Sequence, residues 1–402
     1  MLFNTLRRRS VVAGLLGSAL GARAQLPEAS RPRGVCSEVA LDCASCVTPV
    51  FDAQRMLWLA FVGQGAVSVA RSQDGGKSFG QPVVLGRHGA LLDVGSDARP
   101  AIAVDAHGRV AVAYAVFTSE THKNAQILIS VSTDGGTTFP QPRVLLRNAA
   151  GQRFPTLVAD GSGRVFASWI DERSPSPSQP RQSSALGYAW SHDGGVTFDS
   201  DRVVRHTSCD CCAPAAALDS LRRPVLLYRS VVGARLRDHA VVTFGALDTP
   251  GLPRPVAEDR WEIDACPHHG PSLAITADGT YHAAWYTQGE VRQGLFYARS
   301  TDAGRTFSRP RPVGDASRQA ARPFLLSRGD AVWLVWKEFD GARVLVKQRQ
   351  SHNGGRKWSA DRLIADTDDA ADNPVLISDG ERVYLSWMTR SSGYRLISLE
   401  DA

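Results

Sequence analysis

The chain is 402 residues long, 43% hydrophobic and 21% charged, with 36 Gly, 22 Pro, seven Cys and a formal net charge of +6. Four of the positive charges, Arg7, Arg8, Arg9 and Arg23, sit in the first two dozen residues, and the rest of the chain carries +2 without a basic patch interleaved with aromatics. That balance excludes a nucleic-acid-binding surface, and the length suits a closed all-β architecture built as one unit.

Residues 1–24 read as a signal peptide. Arg7-Arg8-Arg9 supplies the basic start, Val11 to Leu20 an apolar run too short to cross a bilayer, and Ala22-Arg23-Ala24 a small-x-small cleavage site. Arg8-Arg9-Ser10-Val11-Val12 fits a twin-arginine export signal as well as an ordinary secretory one. No later stretch is apolar enough to span a membrane, so the expected location is the bacterial periplasm or the medium outside the cell.

From residue 72 onward a motif repeats. Ser72-x-Asp74-x-Gly76-x-Ser78-Phe79 returns around Asp134, Asp193 and Asp302, and in weaker form around Asn353, where Gly355 and Trp358 are kept. The residue types suit a hairpin turn, with an Asp accepting backbone N–H bonds, a Gly supplying positive φ and an aromatic anchoring the turn on its sheet. These five residues are therefore expected to be structural. Around each motif lie short apolar strands, as in Ala101 to Asp105, Val110 to Tyr114, Ile127 to Val131 and Arg143 to Leu146, which make one four-stranded unit.

The repeated turn resembles the Asp box, and the chain is similar to the sialidase-type Asp-box (BNR repeat) propellers. The resemblance implies an all-β propeller of four-stranded blades over residues 48–402. Units start near Pro49, Pro100, Pro155, Pro214, Pro271, Pro323 and Pro374, which gives seven blades; six, the number in sialidases, is the alternative, with one unit reduced to an insertion. Residues 25–47 are expected to close the ring through a strand near Val35 to Leu41. The polar run Ser174 to Pro180 reads as a loop near the mouth of the channel.

In such a ring the residues just ahead of each starting Pro surround the channel mouth. That would gather Cys209, Cys211 and Cys212 with Cys266, His268 and His269, and bring Cys43 and Cys46 within reach. Thiolates with imidazoles form a soft-metal ligand set, for copper or zinc. Copper is favoured because a vicinal Cys pair with excess thiols suits low-coordinate Cu(I). Disulfides such as Cys43–Cys46, Cys209–Cys211 or Cys211–Cys212 are the competing reading, and seven Cys is an odd number.

The first functional expectation is thus a periplasmic metal-handling or redox protein. The second follows from the resemblance: an exo-acting glycoside hydrolase gripping an acidic glycan with an arginine cluster, here Arg99, Arg153 and Arg322, and using a Tyr nucleophile with Glu and Asp partners. The chain departs from that pattern, because Thr48-Pro49 stands where sialidases carry Arg-Ile-Pro and no Tyr/Glu pairing stands out. A third reading is a ring whose face binds a periplasmic protein partner.

Overall fold

The computed structural model describes residues 39–122, 124–146, 151–172, 184–233, 235–265 and 267–400, all within one unit of the chain, Arg33–Ala402. The signal segment, the run 174–180, Cys36 and Cys266 lie outside those residues. Among the described residues no helix is long and apolar enough to cross a membrane.

The fold is all-β. Strands Cys46–Phe51, Leu57–Gly63, Ala66–Ser72 and Val83–Arg87 pair antiparallel in chain order. The second, Leu-Trp-Leu-Ala-Phe-Val-Gly, is buried at every residue, as a strand covered on both faces must be. The same meander recurs in sheets that begin at Ala101, Ser272 and Ala321, and a three-stranded version begins at Val375. Between them is an eight-stranded sheet made of two meanders, starting at Gln152 and Ala215 and joined through one pair, Ser208 opposite Ser230. The first strands of successive meanders touch in order, and that of the last touches that of the first.

The core lies between meanders. Ala111, Ala113 and Ile127 of the second pack on Ala167, Trp169 and Ala189 of the third, and Leu57, Leu59 and Phe61 of the first pack on Val375, Ile377 and Met388 of the last. Each sheet is therefore apolar on both faces and is stable only with a neighbour on each side.

The repeated turns fasten this packing. Ser72 Oγ donates to Asp74 Oδ1 at 2.7 Å and accepts from the Gly76 amide at 2.8 Å, while Asp74 accepts from the Ser78 amide at 2.9 Å. The turns at Asp134, Asp193, Asp302 and Asn353 keep the same bonds. Gly136 has φ 74°, and a Cβ there would lie 2.3 Å from the Trp58 ring of the preceding meander, so only glycine fits. Gly76, at φ 86°, packs on Leu396 of the last meander, where a Cβ would lie 3.0 Å from the Leu396 side chain.

All seven prolines from which the units were counted line one cavity of about 360 Å³, which the first strands surround. At the N-terminal side the structure differs from expectation. Leu41–Cys43 is a 3₁₀ turn, with the Cys43 amide bonded to the Ala40 carbonyl at 3.0 Å, rather than the end of a strand. Val39 and Leu41 still pack with Tyr394 and Leu396, so the segment covers the last sheet through its side chains and the described part of that sheet keeps three strands.

Asp372, nearly fully buried, ties the last meander to the first two. It accepts from the Val47 amide at 3.0 Å and forms an ion pair with Arg99 at 2.7 Å. Truncation would leave the Val47 amide without its acceptor and the Arg99 charge without its carboxylate. Asp372→Ala is expected to lower unfolding free energy by about 3–5 kcal/mol; urea denaturation yielding a loss below about 1 kcal/mol would remove this tie from the account of closure.

A second expectation concerns acid. The hydroxyl and amide of Ser78 hold the Asp74 carboxyl well below the usual carboxylate range, those of Thr138 do the same for Asp134, and the Thr306 hydroxyl holds Asp302 down to about 2. Because the folded values are depressed, the stabilisation is complete above the unfolded value of about 4 and is lost as pH falls toward 2. The thermal midpoint should fall steeply between pH 4 and 2, and a flat profile there would contradict the assignment.

Candidate functional site: a buried thiol triad

The joint between the third and fourth meanders positions the most unusual side chains. Strand Arg202–Ser208 ends by pairing Ser208 with Ser230, and the next amide, Cys209 N, donates to the Arg229 carbonyl at 2.9 Å. The chain then turns through Asp210, Cys211 and Cys212 before Pro214 opens the following inner strand. A tight turn on a sheet edge directs all three sulfurs to one point.

Cys209 Sγ lies 3.4 Å from Cys211 Sγ and 3.8 Å from Cys212 Sγ, and the latter two are 3.9 Å apart. These are non-bonded separations, far beyond the S–S bond of about 2.05 Å, and all three cysteines are free. None is more than 2% exposed, and Val231 packs against them.

Two arginines face the sulfurs. Arg237, on strand Leu236–Thr243, donates from Nη1 to Cys209 Sγ at 3.0 Å and from Nε to the Ile263 carbonyl at 3.2 Å. Arg229, on strand Pro224–Val232, is buried, donates from Nη2 to the carbonyls of His269 and Tyr286 at 3.0 and 3.1 Å, and has its guanidinium 4.3 Å from the Trp261 ring. Asp238 holds that ring in place by accepting from the amides of residues 259, 260 and 261.

Side-chain contacts with Cys211 and Cys212, with the Arg237 charge, pull the Cys209 thiol far down. The same contacts push Cys211 up, and Cys209 with burial raises Cys212 to about 12 against the pull of Arg229. The contacts with Cys211, Cys212 and Arg237 thus favour Cys209 as the place where the cluster carries negative charge.

Other sequence-predicted residues fall elsewhere. Cys43 is disulfide-bonded and offers no thiolate. Cys46 is a free thiol, but it is buried in the core of the first meander beside Trp58, Ala60 and Val62, where burial and then Asp372 raise it to about 12. His268 is exposed, with φ 52°, and His269 stacks on Tyr286 at a ring distance of 4.2 Å. Burial, with Arg322 and Arg229, drives the His269 imidazole down to about 3, so it is neutral. Among the described residues the side chains placed closely enough to share a metal ion are Cys209, Cys211 and Cys212, without the imidazoles or Cys46. Of the eight residues expected from sequence, Cys209, Cys211 and Cys212 come together, Cys43, Cys46, His268 and His269 do not join them, and Cys266 lies outside the described residues.

The three arginines do not form an open grip. Arg99 pairs with Asp372, Arg153 is bidentate on Asp93 at 2.7 and 2.9 Å, and Arg322, at φ 59°, pairs with Asp97 at 2.5 Å. Arg99 and Arg322 reach the central cavity; Arg153 does not line it. Asn373 joins Arg322 on Asp97 at 3.0 Å.

Sequence reasoning missed Arg237 and Lys337. Lys337 Nζ donates to the carbonyls of Ala371 and Asp372 at 3.1 and 3.4 Å, and burial lowers its pKa. The available signal for Arg237 was its alternation with His239 and Val241 along the strand, which turns it to the same face as two buried neighbours.

No protein-family model matches the chain, and no curated protein matches it. Solved structures do resemble it. A polysaccharide lyase of family PL25, an ulvan lyase bound to -[GlcA(1-4)Rha3S]-, matches at TM-score 0.58 and 12% identity over 89% of this chain and 94% of that one. A protein of unknown function from Dyadobacter fermentans matches at 0.53 and 15% identity over 74% and 92%, and a Hadza microbial sialidase at 0.52 and 14% over 87% and 74%. At these identities the likeness is one of fold: this chain has the all-β architecture of sialidases and ulvan lyases.

Proposed function

We propose that the chain is an exported, periplasmic seven-bladed β-propeller that holds a soft metal ion, copper in preference to zinc, on Cys209, Cys211 and Cys212. The observation that carries this reading is the set of three unbonded, buried sulfurs within 3.9 Å of one another. Thiolates select soft ions, and loading would displace the remaining thiol protons. Burial of every sulfur suits holding or passing on an ion better than turnover at it, since a catalytic centre keeps an open coordination position.

Support for the ring comes from the cyclic contact of first strands, the seven lining prolines and the packing of Gly76 on the last meander. The repeated turns act as Asp boxes in this reading, and the leader at residues 1–24 delivers the chain to an oxidising compartment.

A second reading is an acidic-glycan enzyme at the open cavity. The likeness to an ulvan lyase and a sialidase favours it, as do Arg99 and Arg322 on the cavity wall. Against it, both guanidiniums already meet carboxylates, and Tyr228, one of two tyrosines followed by Arg, is buried in an apolar cluster away from the lining.

The test is elemental analysis of the mature protein purified without air or chelator. Near-stoichiometric copper is expected in the parent and in Cys46→Ser, with at least tenfold less in Cys211→Ser/Cys212→Ser at unchanged circular dichroism. A metal-free parent with reduced thiols that takes up neither Cu(I) nor Zn(II) would overturn the metal reading. Cleavage of ulvan or a sialoside, lost in Arg322→Ala, would establish the second.

A further inference from the structure

The thiols sit beside two buried cations that lack buried counter-charges. Arg229 is 1% exposed, and among the described residues no carboxylate lies within ion-pair distance of it; its Nε has no partner. Arg237 meets Asp210 at 3.6 Å, but that carboxylate is 48% exposed and screened by water. Arg153 is matched by its bidentate bond to Asp93. An unmatched buried charge is strongly unfavourable; Arg229 and Arg237 share the sheet face of Val231, which packs on the sulfurs, so the sulfur cluster is the buried group placed to balance them.

Full balance needs two negative charges. Three thiolates carry three, so a monovalent ion among them leaves two, a divalent ion one and a trivalent ion none. Size agrees with a three-coordinate ion: the centre of the sulfur triangle is about 2.1 Å from each sulfur, and a metal–thiolate bond of about 2.3 Å is reached by a small displacement from the plane.

Resting on the reading of the triad as a metal site, we infer that Arg229 and Arg237 set the charge of the ion it accepts, selecting a monovalent thiophilic ion, Cu(I) or Ag(I), over Zn(II) and As(III). Arg237 acts through its N–H bond to Cys209 and Arg229 through its field at Cys212; neither touches the ion. Guanidiniums suit the task because they stay charged when buried.

The experiment is competition of the reduced, full-length mature protein against chromophoric chelators for Cu(I), Ag(I) and Zn(II), each metal supplied alone, in parent, Arg237→Met, Arg237→Lys and Asp210→Asn. The parent should bind Cu(I) and Ag(I) and leave Zn(II) to the chelator. Arg237→Met should narrow the Cu(I)-over-Zn(II) ratio by about 10- to 100-fold, the scale of outer-shell effects, with Arg237→Lys recovering most of it. Asp210→Asn should stay within about threefold of the parent, as an exposed charge should. A parent that takes Zn(II) as tightly as Cu(I) overturns the inference while leaving the metal reading intact, and this outcome does not depend on any variant folding. An unchanged ratio in a folded Arg237→Met also overturns it. Failure of every ion to bind would remove the metal reading itself, a distinguishable result.

Discussion

Every sheet in this protein is apolar on both faces, and that constraint governs the rest of the structure. A single four-stranded meander cannot cover two hydrophobic faces, so each is completed by the neighbours on its two sides. The core is consequently not central but distributed through the joints, as the packing of Ala111 and Ile127 on Trp169 and of Phe61 on Met388 illustrates. The middle is left to the inner strands, their prolines and a cavity with a polar rim.

Such an architecture concentrates chemistry where one meander hands the chain to the next. At most joints the connecting residues are tied down by ion pairs: Arg99 with Asp372, Arg153 with Asp93, Arg322 with Asp97. The third-to-fourth joint is different. There the two meanders are stitched together by Ser208 and Ser230, and the buried partner of the arginine is a sulfur instead of a carboxylate. The thiol cluster thus occupies the structural position that carboxylates hold at other joints, and the exchange of hard oxygen for soft sulfur is what makes the joint a candidate metal centre.

A fold shared with carbohydrate-active enzymes does not by itself fix the chemistry at its mouth. The scaffold supplies a mouth ringed by connecting loops, and function follows from which side chains those loops bring. Here the cavity-facing arginines are engaged with Asp97 and Asp372. The residues without conventional partners are instead a short distance away in the joint: three thiols, Arg229 with an unmatched Nε, and a neutral His269.

Much of the architecture was legible in the sequence, because the features that specify it are local. The Asp-x-Gly-x-Ser/Thr-aromatic turns need only their own side chains to close, and the prolines at the starts of the inner strands mark the units whatever lies around them. The Cys209–Cys212 triad was legible for the same reason, since four consecutive residues are neighbours in any turn. What depended on distant parts of the chain was not. That Cys46 faces a core, that His269 is held by Tyr286 and Arg229, and that three arginines from separate units each meet a carboxylate at a far position follows from register and packing between meanders. Sequence alone therefore determined the repeating unit and the sulfur-bearing turn; tertiary structure decided which charges face that turn, because the Arg237–Cys209 contact spans 28 residues and exists only once the two neighbouring meanders are joined.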